Sequence, residues 1–143
     1  MSDKTISSDK FRHDVGKVAN ILRSHGFQHA PQFEYETPTT VSVVYVGQNI
    51  AFTFTLDIRD QGIDLVVTRY REGKLVPTWE GGYSSSLFTY LLNRCGFRSH
   101  PTPTASLRPT ASNAKRALSA LANLLTQPCA ASLLADRADA LPQ

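Results

Sequence analysis

The stretch Ile50-Ala51-Phe52-Thr53-Phe54-Thr55-Leu56-Asp57-Ile58 alternates between apolar and small or polar residues without a fault. Side chains along a β-strand point to opposite faces in turn, so Ile50, Phe52, Phe54, Leu56 and Ile58 share one face. Ala51, Thr53, Thr55, Asp57 and Arg59 share the other. On a helix the five large apolar side chains would be scattered around the circumference. The segment is therefore a strand with one buried face and one exposed or partner-facing face. Such a strand needs sheet neighbours and a layer to cover its apolar side.

The neighbours follow in order along the chain. Val41 to Val46 is nearly all apolar, which predicts a strand covered on both faces or central in the sheet. Gly47-Gln48-Asn49 and Asp60-Gln61-Gly62 are turns that flank the alternating strand. Ile63 to Tyr70 is the next strand, and Arg71-Glu72-Gly73-Lys74 the next hairpin turn. Leu75 and Val76 start a short last strand that Pro77 marks as an edge or an end. Pro31 and Pro38 bracket an irregular first strand region, Phe33-Glu34-Tyr35-Glu36.

Helical periods supply the cover. Phe11, Val15, Val18 and Leu22 lie on one face of a helix from about Ser8 to His25, capped by Ser7 or Ser8, with Asp9 at the positive end of its dipole. Gly26 ends it, and Phe27 is expected to pack back on the last turn. A second helix, capped within Ser84-Ser85-Ser86, carries Leu87, Phe88, Tyr90, Leu91 and Leu92 and runs to Cys95. A third begins near Ser112 or Asn113 and reaches Gln127, with Ala114, Ala117, Leu118, Leu121, Leu124 and Leu125 as its apolar stripe. Pro128 ends it, and Cys129 to Ala138 forms one further short helix. Residues 98–112, rich in Pro, Thr and Ser, read as a surface connector, and 138–143 as a frayed tail. The expected fold is α+β: an N-terminal helix, an antiparallel β-meander of about four strands and two to three C-terminal helices. It forms one domain over residues 1–143.

Composition narrows the function. Apolar residues are 41% and charged residues 19%, as in a globular protein with one core. No apolar run approaches a membrane span, and the polar start Met1-Ser2-Asp3-Lys4-Thr5 has no signal-peptide core behind it, so a cytoplasmic location is expected. Cys95 and Cys129 belong to no CxxC pair. In that compartment free buried thiols are expected, with a disulfide tying the two C-terminal helices as the alternative. Net charge is +3, divided as +2 over residues 1–31, −3 over 32–83 and +4 over 84–143. The arginines are dispersed, whereas a nucleic-acid footprint needs a dense patch.

Each candidate for chemistry has a local explanation. His25 and His29 have a metal-like spacing, but Gly26 ends the helix between them, so surface or cap roles are expected. Asp57, Asp60 and Asp64 cluster at one turn, as an acid/base pair or a hard-metal site would, with Asp57 and Asp64 read as facing each other across the hairpin. Turn chemistry and nearby Arg59 account for them as solvated or partner-facing groups. Ser84-Ser85-Ser86 lacks a nucleophile elbow, and Gly81-Gly82 is followed by no phosphate-loop Lys. No enzyme, metal or cofactor is expected. The loop Thr78 to Tyr83 differs: Trp79 and Tyr83 beside two glycines are interface anchors, unless Trp79 folds down as a lid over the sheet edge.

The run Asn49-Ile50-Ala51-Phe52-Thr53-Phe54-Thr55-Leu56-Asp57-Ile58-Arg59-Asp60, then Ile63-Asp64-Leu65-Val66-Val67-Thr68-Arg69-Tyr70 and Glu72-Gly73-Lys74-Leu75, resembles small bacterial immunity proteins of polymorphic-toxin and contact-dependent systems. The resemblance is carried by residues between Asn49 and Leu75. It implies a non-enzymatic protein that binds and blocks one cognate toxin. Trp79, Glu80 and Tyr83 would then anchor the partner, and Asp57, Asp60 and Asp64 would give charge complementarity. Inhibitors of nuclease toxins are usually acidic, and here only the meander is. The alternatives are a secretion chaperone or adaptor, which would dimerise, and a small-molecule-binding domain. No nucleic-acid or membrane partner is expected.

Overall fold

The computed structural model describes residues 6–57, 62–95 and 111–142. In chain order these form α1 (Ser8–Val18), α2 (Asn20–Ser24), β1 (Gln28–His29), β2 (Thr40–Val46), β3 (Ile50–Asp57), β4 (Gly62–Arg71), β5 (Lys74–Leu75), β6 (Ser84–Ser86), α3 (Leu87–Cys95), α4 (Ala111–Leu124) and α5 (Ala131–Leu134). The α+β architecture expected from the sequence is present. The sheet is an antiparallel meander, β1 to β5 in order, with β6 added to β4. The expected connector lies outside the described residues, apart from residues 111 and 112, which belong to α4.

The register of β3 on β4 sets the core. Phe52 is opposite Val67, Phe54 opposite Leu65 and Leu56 opposite Ile63. On the other side Tyr45, Val43 and Val41 of β2 meet the same three β3 residues. All nine side chains are buried and join Phe11, Val15, Leu22, Leu87, Leu91, Leu118 and Leu121 in one cluster. The helices thus cover a single face, as the alternation requires. β2 is buried on both faces because the 3-10 turn Pro31–Phe33 packs on it. The edge ring contact of Phe33 with Tyr70, at 5.8 Å, extends this cover across the outer face. The sheet exceeds four strands because Gln28–His29 pairs with Val46 and Tyr45, and the serine run pairs with β4. Of the irregular region 33–36, only Glu36 bridges, to Val41.

The helix ends follow their sequence grammar. Ser7 caps α1 by accepting from the Lys10 amide, with buried Ile6 and Phe11 in the positions of a hydrophobic staple. The expected single helix breaks at Ala19, and Arg23 donates to the Gly16 carbonyl at the break. Gly26, at φ +91°, closes α2: its amide bonds to Arg23 O and that of Phe27 to Leu22 O. Phe27 then meets Phe52 edge-on at 5.1 Å. Ser86 caps α3 through the Thr89 amide while its neighbours pair with the sheet.

Two expectations are corrected. Residues 138–142 are not frayed: Ala140 and Leu141 are buried, and Tyr90 Oη donates to Ala140 O at 2.6 Å. Upstream, the carboxylate of Asp136 accepts the amides of Gln48, Asn49 (2.9 Å) and Ile50 (3.0 Å), and Asn49 Nδ2 returns a bond to its carbonyl. The β2–β3 turn is thus an anion-binding nest filled by a side chain from the far end of the chain. A Cβ at Gly47 would lie within 2.7 Å of that carboxylate and would push it out of the nest.

The second correction concerns the thiols. Cys129 is exposed and disulfide-bonded, and no cysteine among the described residues is free. The physical reason is the docking of α3, which ends at Cys95, against the 3-10 turn Pro128–Ala130. No single helix among the described residues is long and apolar enough to cross a membrane.

Asp136→Ala is expected to lower the unfolding free energy in urea by roughly 2–3 kcal/mol, and Asp136→Asn by less, since an amide oxygen still accepts and Asn tolerates the φ of +57° found at this position. Equal losses would show that the nest needs the carboxylate charge and that a neutral acceptor does not replace it. Protein taken from its native host into acid and alkylated should show no labelled thiol until reduced. Cys129→Ser should then cost about 2–4 kcal/mol.

Candidate functional site

The edge of β4 carries an interrupted strand. β5 pairs Leu75 with Tyr70, and β6 pairs Ser84 with Thr68. Between them, Arg69 O accepts the Val76 amide at 2.9 Å and Arg69 N donates to Tyr83 O at 2.9 Å. Both ends of the Pro77–Gly82 loop therefore meet at Arg69. The chain leaves the sheet edge at Val76, makes a 3-10 turn over Thr78–Glu80 and returns at Tyr83. The loop also shields the sheet edge from pairing with another strand.

The loop is closed on itself. The amides of Glu80 and Gly82 both bond to Pro77 O, at 3.0 and 2.9 Å, and Gly81 N reaches Thr78 O. Gly81 takes φ +82°, and a Cβ on Gly82 would lie 1.9 Å from Val76 O. The two glycines serve this close backbone packing. The product is a small, internally bonded platform with Trp79 on it, 84% exposed. The choice left open by the sequence is thereby resolved: Trp79 is no lid over the core. The ring is thus presented to solvent from a loop closed by its own backbone bonds.

Tyr83 has a different role from Trp79. It is partly buried and meets Tyr90 edge-on at 6.3 Å, so it forms the foot of the loop. Glu80 is exposed beside Trp79, as are Arg71, Glu72 and Lys74 on the adjoining hairpin.

The acidic candidates lie at the other end of the sheet. Asp57 is opposite Gly62, and Asp64 is opposite Thr55. Seven steps along β4 separate Gly62 from Arg69, about 23 Å. Asp57 and Asp64 are on the same face but diagonal to each other, not facing across the hairpin. Asp60 lies outside the described residues. Burial is the main influence on Asp64 and raises its carboxyl pKa above the usual 3.8, while the Leu65 amide pulls it down.

His25 and His29 make local structural contacts. His25 Nδ1 meets Ile21 O at 2.8 Å at the end of α2. His29 Nε2 lies 2.6 Å from Glu34 Oε2, which also accepts the Val44 amide. Among the described residues no three of His, Cys, Asp and Glu converge as metal ligands. A cavity of about 240 Å³ between α1 and α4 is lined by Asp14, Lys17, Val18, Lys115, Leu118 and Ser119. Asp14 is ion-paired with Lys10 at 3.1 Å. None of these lining residues is a histidine or cysteine.

Arg69 was not singled out from the sequence. It is 4% exposed, and its Nη2 donates to Pro142 O at 2.5 Å and Leu141 O at 3.5 Å, while Nε has no partner. The signal was present: Ile63, Leu65, Val67 and Arg69 share one parity, so an arginine occupies a core-facing position.

Asp64 supplies a pH test. Its raised pKa means that the native state holds the proton more tightly than the unfolded chain does. Stability therefore falls as pH rises through the window above 3.8 and stays reduced beyond it. Asp64→Asn keeps an acceptor for Leu65 and should raise the urea midpoint at pH 7, with the gain vanishing as pH falls toward 3.8. A gain independent of pH would assign the effect to something other than the proton. Comparison with protein-family models, curated proteins and solved structures finds no match to this chain.

Proposed function

We propose that this chain is a non-enzymatic protein-binding domain that presents Trp79 as its anchor, and that it is an immunity-type protein neutralising a cognate bacterial toxin. The observation that carries the binding reading is the 84% exposure of Trp79 on a loop closed by its own backbone bonds. An aromatic ring held in place before binding loses little conformational entropy on docking. The toxin as partner rests on the resemblance of the meander to immunity proteins.

The loop and the acidic end of the meander form one footprint only under a partner that lies along the sheet. A standard interface of about 800 Å² per side is wide enough for that. In this reading Trp79 supplies the buried anchor, and Glu80, Asp57, Asp60 and Asp64 steer the approach. The compartment proposed is an oxidising one, because structural disulfides such as that of Cys129 persist there and not in a reducing cytoplasm. A partner met there need not be a nuclease, which agrees with the basic overall charge.

The partner is to be sought by co-purification from the native host and in the gene immediately upstream. Trp79→Ala should weaken that complex by about 2 kcal/mol or more, near thirtyfold, through faster dissociation. The combined Asp57, Asp60 and Asp64→Asn change should slow association and flatten its salt dependence. Unchanged affinity in Trp79→Ala would remove the loop from the interface.

A further inference from the structure

We infer that Arg69 and the C-terminal segment Ala138–Pro142 are the positioning elements of the Trp79 loop, so that the loop is held for binding only while that segment is docked. The inference rests on the reading of Trp79 as the partner contact. Its evidence is independent of the partner.

Two lines of contact join the segment to the loop. The first passes through Arg69. Its backbone holds both ends of the loop, Val76 and Tyr83, and its guanidinium holds the carbonyls of Leu141 and Pro142. The second passes through the aromatic foot. Tyr83 packs on Tyr90, and Tyr90 Oη donates to Ala140 O. Arg94 Nη2 adds a longer bond to Asp139 O at 3.4 Å. Three donor side chains thus converge on four consecutive residues beneath the loop.

The chemistry of Arg69 points the same way. Among the described residues no carboxylate pairs with it. A buried guanidinium bound to carbonyls alone, with Nε unpartnered, is a poor device for stability, since an apolar side chain of similar volume often serves as well. What an apolar residue cannot do is grip peptide carbonyls in two directions from one backbone position. Arg69 therefore transmits the docked state of the segment to the base of the loop.

The chain holds a single tryptophan, Trp79, so its fluorescence reports on the loop alone. Arg69→Met and Tyr90→Phe each cut one line of contact. In both folded variants, fluorescence anisotropy of Trp79 should fall, and hydrogen exchange at the Val76 and Gly82 amides should quicken by about tenfold while β3 amides keep their protection. Arg69→Lys keeps one donor and should restore most of the wild-type signal. The inference is overturned if anisotropy and loop exchange are unchanged in either folded variant, or if loop and β3 amides loosen together. If Arg69→Met does not fold, Tyr90→Phe decides by the same readouts. A loosened loop with undiminished partner affinity would support the positioning role and overturn the reading of Trp79 as the anchor.

Discussion

Phe54 opposite Leu65, flanked by Phe52 on Val67 and Leu56 on Ile63, puts six large apolar side chains on one face of two adjacent strands. At roughly 1.5–3 kcal/mol for each buried side chain, their burial is on the order of the whole net stability of a small domain. A slip of one residue would turn all six to the solvent face. The register is therefore not negotiable, and every other relation in the molecule is measured from it. It decides that α1, α3 and α4 cover one side, that Asp57 and Asp64 share the opposite side, and that Arg69 points inward.

That last consequence is where scaffold and candidate function meet. The apolar parity of β4 delivers an arginine to the core just where the strand loses its regular edge partner. The edge strand opens there into the Trp79 loop, and the same residue bonds to both ends of the opening. The side chain then finds carbonyls, because the C-terminal segment crosses beneath it. One register position thus anchors an exposed aromatic platform on one side and the end of the described chain on the other.

Much of this was legible because the governing interactions are local. Alternation over 50–58 identified the central strand. The sequence Gly26-Phe27 announced the closing turn of α2, and the stripe from Ala114 to Leu125 matches the buried face of α4 and the residue after it. The misreadings share a different cause. Asp136 carries no local signal of its role, since its partners are amides 86 to 88 positions away. Cys129 reads as a free thiol because nothing near it in sequence foretells that α3 packs beside its turn. The serine run caps α3 as expected, but its pairing with β4 depends on where the chain re-enters the sheet.

The candidate site divides along the same line. Sequence alone identified an α+β meander with an aromatic-glycine loop before α3, because period, turn chemistry and capping are encoded within a few residues of where they act. It could not say whether Trp79 faces solvent or the core, that Tyr83, read as an anchor, is the foot of the loop, or that the acidic cluster stands a sheet's length from both. Those outcomes depend on which side chains distant segments bring to the same place. Only the packed structure, in which the C-terminal residues bond to Arg69 and Tyr90 and Trp79 is left outside, decides them.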